Sequence, residues 1–159
     1  MASYKFYLVS LCFTWLMCIS NAHVVHFQPC AGDCIIHEVR VNPCPEFEQL
    51  GFCKLKRGKS ATIEFDVTPQ WNATKVFGAV YSATDDGDVP LAGMNTNACM
   101  HTTCPFIKDH RRYTYSYSLA LAKKFPTSLY TIKWVLRNEE KPEPTSEQCC
   151  FTTKIKLTK

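Results

Sequence analysis

Tyr113-Thr114-Tyr115-Ser116-Tyr117-Ser118-Leu119-Ala120-Leu121 alternates large and small side chains without a break. Successive residues of a strand point to opposite faces. Tyr113, Tyr115, Tyr117, Leu119 and Leu121 therefore share one face, and Thr114, Ser116, Ser118 and Ala120 the other. A helix would scatter the same residues around its circumference. The stretch predicts a half-buried β-strand with one broad apolar face.

The same period recurs outward from it. Leu129 to Leu136 aligns Tyr130, Ile132, Trp134 and Leu136, while Cys149 to Leu157 aligns Cys149, Phe151, Thr153, Ile155 and Leu157 with Cys150 opposite. Upstream, Ser60 to Thr68 sets Ile63, Phe65 and Val67 against Thr62, Glu64 and Asp66. Ile35 to Val41 places Ile35, His37, Val39 and Val41 on one face, against Glu38 and Arg40. Val76 to Ser82 is apolar on both faces and predicts a more central strand. No segment keeps a helical period. Asn42-Pro43 to Gly58, Asp85-Asp86-Gly87, Pro90 to Pro105, Pro126 and Glu139 to Pro144 are turn or loop material. About six to eight strands so spaced predict an all-β, antiparallel sandwich.

The chain has 159 residues. Lys5, the apolar run Phe6 to Ile19 and the small residues Ser20-Asn21-Ala22 have the form of a secretory signal peptide, residues 1–22, cut after Ala22. The apolar run is shorter than the roughly 20 residues that span a bilayer. Residues 23–159 predict one domain with no repeat and no linker. Lys5 leaves with the leader, so the 18 basic residues against 14 acidic ones become a net charge of about +3. That excess is too small to point to nucleic acid, and the clusters Lys54 to Arg57 and Arg111-Arg112 predict solvated turns.

Ten cysteines are present, of which Cys12 and Cys18 fall in the leader. An even remainder in an oxidising compartment predicts disulfides rather than metal ligands. Those eight allow about a hundred connectivities. Cys99-Met100-His101-x-x-Cys104 lacks the second cluster of a zinc site. Asp85, Asp86 and Asp88 lack the full ligand loop of a calcium site. No nucleophile elbow, phosphate loop or HExxH motif occurs. Neither an enzyme nor a cofactor or metal is expected.

Several stretches carry a resemblance. Phe27-Gln28-Pro29-Cys30, Glu38-Val39-Arg40-Val41-Asn42-Pro43-Cys44-Pro45, Cys53 and Lys56-Arg57-Gly58-Lys59-Ser60 resemble the opening of the Niemann-Pick type C2 sterol carriers. Asn97-Ala98-Cys99, Cys104-Pro105, Lys108-Asp109 and Tyr113-Thr114-Tyr115 are similar to those carriers and to the group-2 mite allergens, all of the secreted lipid-recognition family called ML. The resemblance spans nearly all of the chain after the leader. It implies an immunoglobulin-like sandwich whose sheets part around an apolar cavity holding one lipid. It also implies the bonds Cys30–Cys150, Cys44–Cys53 and Cys99–Cys104. Cys34 and Cys149 depart from the pattern; they can pair with each other, or the four end cysteines can pair as Cys30–Cys149 and Cys34–Cys150.

By position, the family's cavity-mouth residues fall on Leu91, Leu121 and Phe125. Ala120 stands where the carriers have proline, Phe151 where they have tryptophan, and Leu91 where they have an aromatic. Tyr115 and Trp134, on the two facing apolar surfaces, complete the expected ligand-binding set, with Trp134 also placed in the core. The implied function is a secreted, monomeric carrier of a sterol, a fatty acid or a similar hydrophobic molecule. It would meet membranes or a receptor transiently, outside the cell or in the lysosome. The alternatives are recognition of microbial lipids or semiochemicals, and a disulfide-stapled binding domain without lipid. Asn72-Ala73-Thr74 is an N-glycosylation sequon, which predicts an exposed Asn72.

Overall fold

The structure, a computed structural model, describes residues 22–141 and 145–159. The leader, apart from Ala22, and residues 142–144 of the last turn lie outside it. In chain order the described residues form strands β1 (His23–Val24), β2 (Gln28–Pro29), β3 (Cys34–Asn42), β4 (Cys53–Lys56), β5 (Ser60–Pro69), β6 (Val76–Thr84), β7 (Gly87–Pro90), β8 (Tyr113–Ala120), β9 (Leu129–Asn138) and β10 (Gln148–Thr158). A single helical turn, α1 (Phe47–Leu50), lies between β3 and β4.

The strands make two facing sheets, ordered β1-β3-β5-β8 and β2-β10-β9-β6-β7, with β4 paired to β10 beside β2. All pairs are antiparallel except β4 with β10. Alternation dictates which side closes. Tyr113, Tyr115 and Tyr117 of β8, Ile63, Phe65 and Val67 of β5, Ile132, Trp134 and Leu136 of β9, and Phe151, Ile155 and Leu157 of β10 are all buried. At about 25 cal/mol per Å² of apolar area, these faces are the main drive to close the sandwich. Phe65 is the hub, with ring centroids 4.9 Å from Tyr115 and from Phe151 and 6.0 Å from Trp134. Those four rings come from both sheets and fill the middle of the sandwich.

Three expectations are corrected. In β3 the register against β5 shifts between Ile36 and Glu38, where two steps on β3 face one on β5. His37 is the extra residue, and such a bulge sends the side chains on either side of it to different faces. Ile36, Val39 and Val41 therefore point inward, whereas Ile35 is 49% exposed and His37 bonds Thr68 across the outer face (2.9 Å). The stretch from Asn42 to Gly58 is not all loop either. It holds α1, which buries Phe47 and ends at Gly51 with φ +71°, and β4, which buries Cys53 and Leu55 while Lys54 and Lys56 face water. Gly87–Pro90 likewise forms a strand directly after the two-residue turn Asp85-Asp86.

The four disulfides are Cys30–Cys150, Cys34–Cys149, Cys44–Cys53 and Cys99–Cys104, so the crossed pairing of the end cysteines is overturned. Between Cys30 and Cys34 the chain presses on the start of β10. A Cβ at Gly32 would come 2.3 Å from the Gln148 carbonyl oxygen, so only glycine fits this clasp. The outer face of the first sheet is occupied by charge pairing. Arg40 grips Asp66 bidentately (3.1 Å to each oxygen) and also bonds Glu38 and Glu64. The guanidinium holds the Asp66 carboxyl below its usual range. At the β8 edge, the Ser116 N–H donates to the His101 carbonyl (3.0 Å), laying the loop clipped by Cys99–Cys104 along that strand.

Candidate ligand-binding cavity

The inner faces do not close along their whole length. Beyond the aromatic rings, towards the start of β5 and the end of β8, the sheets part around a cavity of about 390 Å³. Leu119 and Leu121 come from the end of β8 and its continuation, Tyr130 and Ile132 from β9, and Ile155 and Leu157 from β10. Val89, Pro90 and Leu91 close one side of the mouth; Phe125 and Pro126, in the loop between β8 and β9, close the other. Among the described residues no charged side chain lines it, and Ser82 and Tyr130 supply its side-chain hydroxyls. The Tyr130 hydroxyl already donates to the Pro126 carbonyl (2.9 Å). A second, inner space of about 40 Å³ lies against Trp134, Leu55, Ala61 and Ile63. Small-molecule sites of about 300–1,000 Å³ are typically apolar with few polar groups, as the larger cavity is.

Leu91, Leu121 and Phe125 are thus brought together by three separate segments. Leu91 and Phe125 are half-buried at the mouth, while Leu121, 3% exposed, is part of the wall. Trp134 reaches only the inner space. Tyr115 lines neither; it is fully buried, and its hydroxyl stands where a Cβ on Gly78 would come within 3.4 Å. Burial pushes the Tyr115 phenol upward in pKa, as a core position demands. The wall residues Tyr130, Ile132, Ile155 and Leu157 had a visible signal, inward alternation near one end of β9 and β10. The half-buried mouth residues had none beyond the resemblance.

The mouth is held open by polar ties outside the cavity. The Arg57 guanidinium donates from Nη1 to the carbonyls of Lys123 (3.0 Å) and Phe125 (2.6 Å). Leu121 N–H donates to the Lys59 carbonyl (2.9 Å), and the Lys133 ammonium bonds Asp88 (2.7 Å) beside Val89. Arg57→Ala removes both bonds to the Phe125 loop. The expected result is a bound fluorescent lipid leaving about tenfold faster in stopped flow, the kinetic equivalent of about 1.4 kcal/mol. The melting temperature should barely move; an unchanged off-rate means that Arg57 does not hold the mouth.

The profile of the ML domain matches residues 24–157. This chain belongs to the ML domain family. The ML domain here is 38% identical over 127 residues to the MD-2-related lipid-recognition protein of Manduca sexta, covering 79% of this chain and 78% of that one. It is 28% identical over 120 residues to the mite group 2 allergen Der f 2 of Dermatophagoides farinae, covering 74% and 77%. Among solved structures, a Niemann-Pick type C2 protein from the Japanese carpenter ant superimposes with a TM-score of 0.70 at 20% identity, covering 84% of this chain and 99% of that one. That likeness shows a shared fold, and the family membership makes this ML domain a lipid-binding protein in general terms.

Proposed function

We propose that this ML domain is a secreted, monomeric carrier that encloses the body of one sterol, fatty acid or similar hydrophobic molecule between its sheets and hands it to a membrane or receptor. The observation that carries the reading is the apolar cavity of about 390 Å³, open at one end and free of charged lining. Such a void forfeits packing contacts unless something apolar fills it. Leu91, Leu121 and Phe125 are the proposed first contacts; Trp134, which reaches only the inner space, stands beyond the deep end of the main cavity. Around the mouth, Val89 and Leu129 are 56% and 51% exposed, and Lys123 and Lys124 are exposed beside Phe125. An apolar rim flanked by lysines suits brief contact with an acceptor surface.

A second reading, recognition of a microbial lipid or a semiochemical, draws support from the Manduca sexta relative, which is named a lipid-recognition protein. Organic extraction of the secreted protein followed by mass spectrometry separates the two readings. A host sterol or fatty acid at near-stoichiometric amount supports the carrier. Protein that emerges empty and then binds neither a fluorescent sterol nor a fluorescent fatty acid removes it.

Asn72 is proposed to carry a glycan. It is exposed in the turn after β5, at the end of the sandwich away from the mouth, with its Oδ1 accepting from the Lys108 N–H (2.7 Å). Protein secreted from a eukaryotic host is expected to gain gel mobility on amidase treatment, and Thr74→Ala should abolish that shift without altering lipid binding. Unchanged mobility of the parent protein counts against the glycan.

A further inference from the structure

The two internal spaces share three lining residues: Leu119, Ile132 and Ile155. Leu119 projects from β8 of one sheet, and Ile132 and Ile155 project from β9 and β10 of the other. All three line both spaces, so they stand at the boundary between the main cavity, about 390 Å³, and the inner one, about 40 Å³. Trp134 lines the inner space, and its ring lies 6.0 Å from Phe65 and 6.1 Å from Tyr115, which stack on each other.

We infer that Leu119, Ile132 and Ile155 form a stop that sets how long an apolar tail this protein accepts. The inference rests on the carrier reading and adds a specificity device to it. A tail enters from the mouth at Leu91 and Phe125, because the walls beyond offer no charged partner for a polar head. The tail's end then meets the three aliphatic side chains. The inner space has room for no more than a few water-sized groups, and it goes unused while the stop stands. A longer tail must leave its surplus carbons at the mouth in water.

Leu119 is the residue to cut. It is only partly buried, and its pair across the ladder is Ala61, which also lines the inner space. Leu119→Ala joins the two spaces into one longer channel. Each methylene newly buried improves affinity about fourfold, so a tail longer by two carbons gains about fifteenfold over the parent's preferred one. Adding Ala61→Val to Leu119→Ala refills the inner end and should return the preference to the parent's. Ala61→Val alone should leave the profile unchanged, because the parent's ligand stops short of Ala61.

The experiment is displacement of a fluorescent fatty acid by saturated fatty acids of increasing length, with parent, Leu119→Ala, Ala61→Val and the double variant side by side. Expected is a length optimum in the parent, a longer optimum in Leu119→Ala, and its reversal in the double variant. Ile155→Val trims the same stop more gently and should shift the optimum the same way if Leu119→Ala fails to accumulate. An optimum that stays put in the trimmed variants, or an equal gain at every length, overturns the stop while leaving the carrier intact. A parent that binds no member of the series and no sterol overturns the carrier reading and the stop with it.

Discussion

Phe125→Asp is expected to abolish lipid binding, lowering affinity by more than about a hundredfold, while the protein melts at its usual temperature. A carboxylate at the mouth must lose water when a ligand seats over it, which costs several kcal/mol. The fold should tolerate the change because Phe125 is only half-buried. Its loop is also held through the carbonyls of Lys123, Phe125 and Pro126, which the change leaves in place. The same substitution at Leu121 or Trp134 is a different experiment. Both are 3% exposed, and a charge there is buried in the folded state itself. Those variants should fail to accumulate as folded protein. Titration with fluorescent sterol and fatty acid, beside thermal melts, distinguishes the cases; full affinity in Phe125→Asp would place the ligand elsewhere.

Loss of both bonds between the chain ends is expected to cost about 4–5 kcal/mol, and loss of either alone far less. Cys30–Cys150 spans 120 residues and Cys34–Cys149 spans 115. The two loops are nearly equal in length, and once either bond is closed the other closes a ring of only a few residues, so either alone supplies most of the restriction on the unfolded chain. Alanine replacements of each pair, and of all four cysteines, followed by denaturant melts, measure this. Two equal halves summing to the whole would mean that each bond acts through its own local contacts. Cys149 and Cys150 are both buried, so each replacement also leaves a small packing loss.

Sequence pattern and structure agree where one face of a strand is buried and the other wet. β5, β8, β9 and β10 were legible for that reason: a slip of one residue would have turned every large side chain outward. The bulge at His37 was not legible, because an extra residue shows only against the partner strand that skips it. β4 was hidden by its lysines, since Cys53-Lys54-Leu55-Lys56 alternates over too few residues to stand out from a charged loop. For the site the limit was depth. Alternation says that Tyr115 and Leu121 face inward alike, but six residues along a strand separate them by about 20 Å. One ends in the aromatic stack and the other in the cavity wall. Alternation also cannot say whether facing side chains touch or leave a space, so the cavity mouth came only from the resemblance.

The loop between Cys99 and Cys104 has a consequence for the company the protein keeps. β8 is the last strand of its sheet, and a long open strand offers its backbone to any passing chain. The His101 carbonyl already takes the Ser116 N–H, and the disulfide keeps that loop in place. A molecule that must show greasy residues at its mouth thus covers its strand margin at Ser116, and a chain adding itself along β8 meets the tethered loop there.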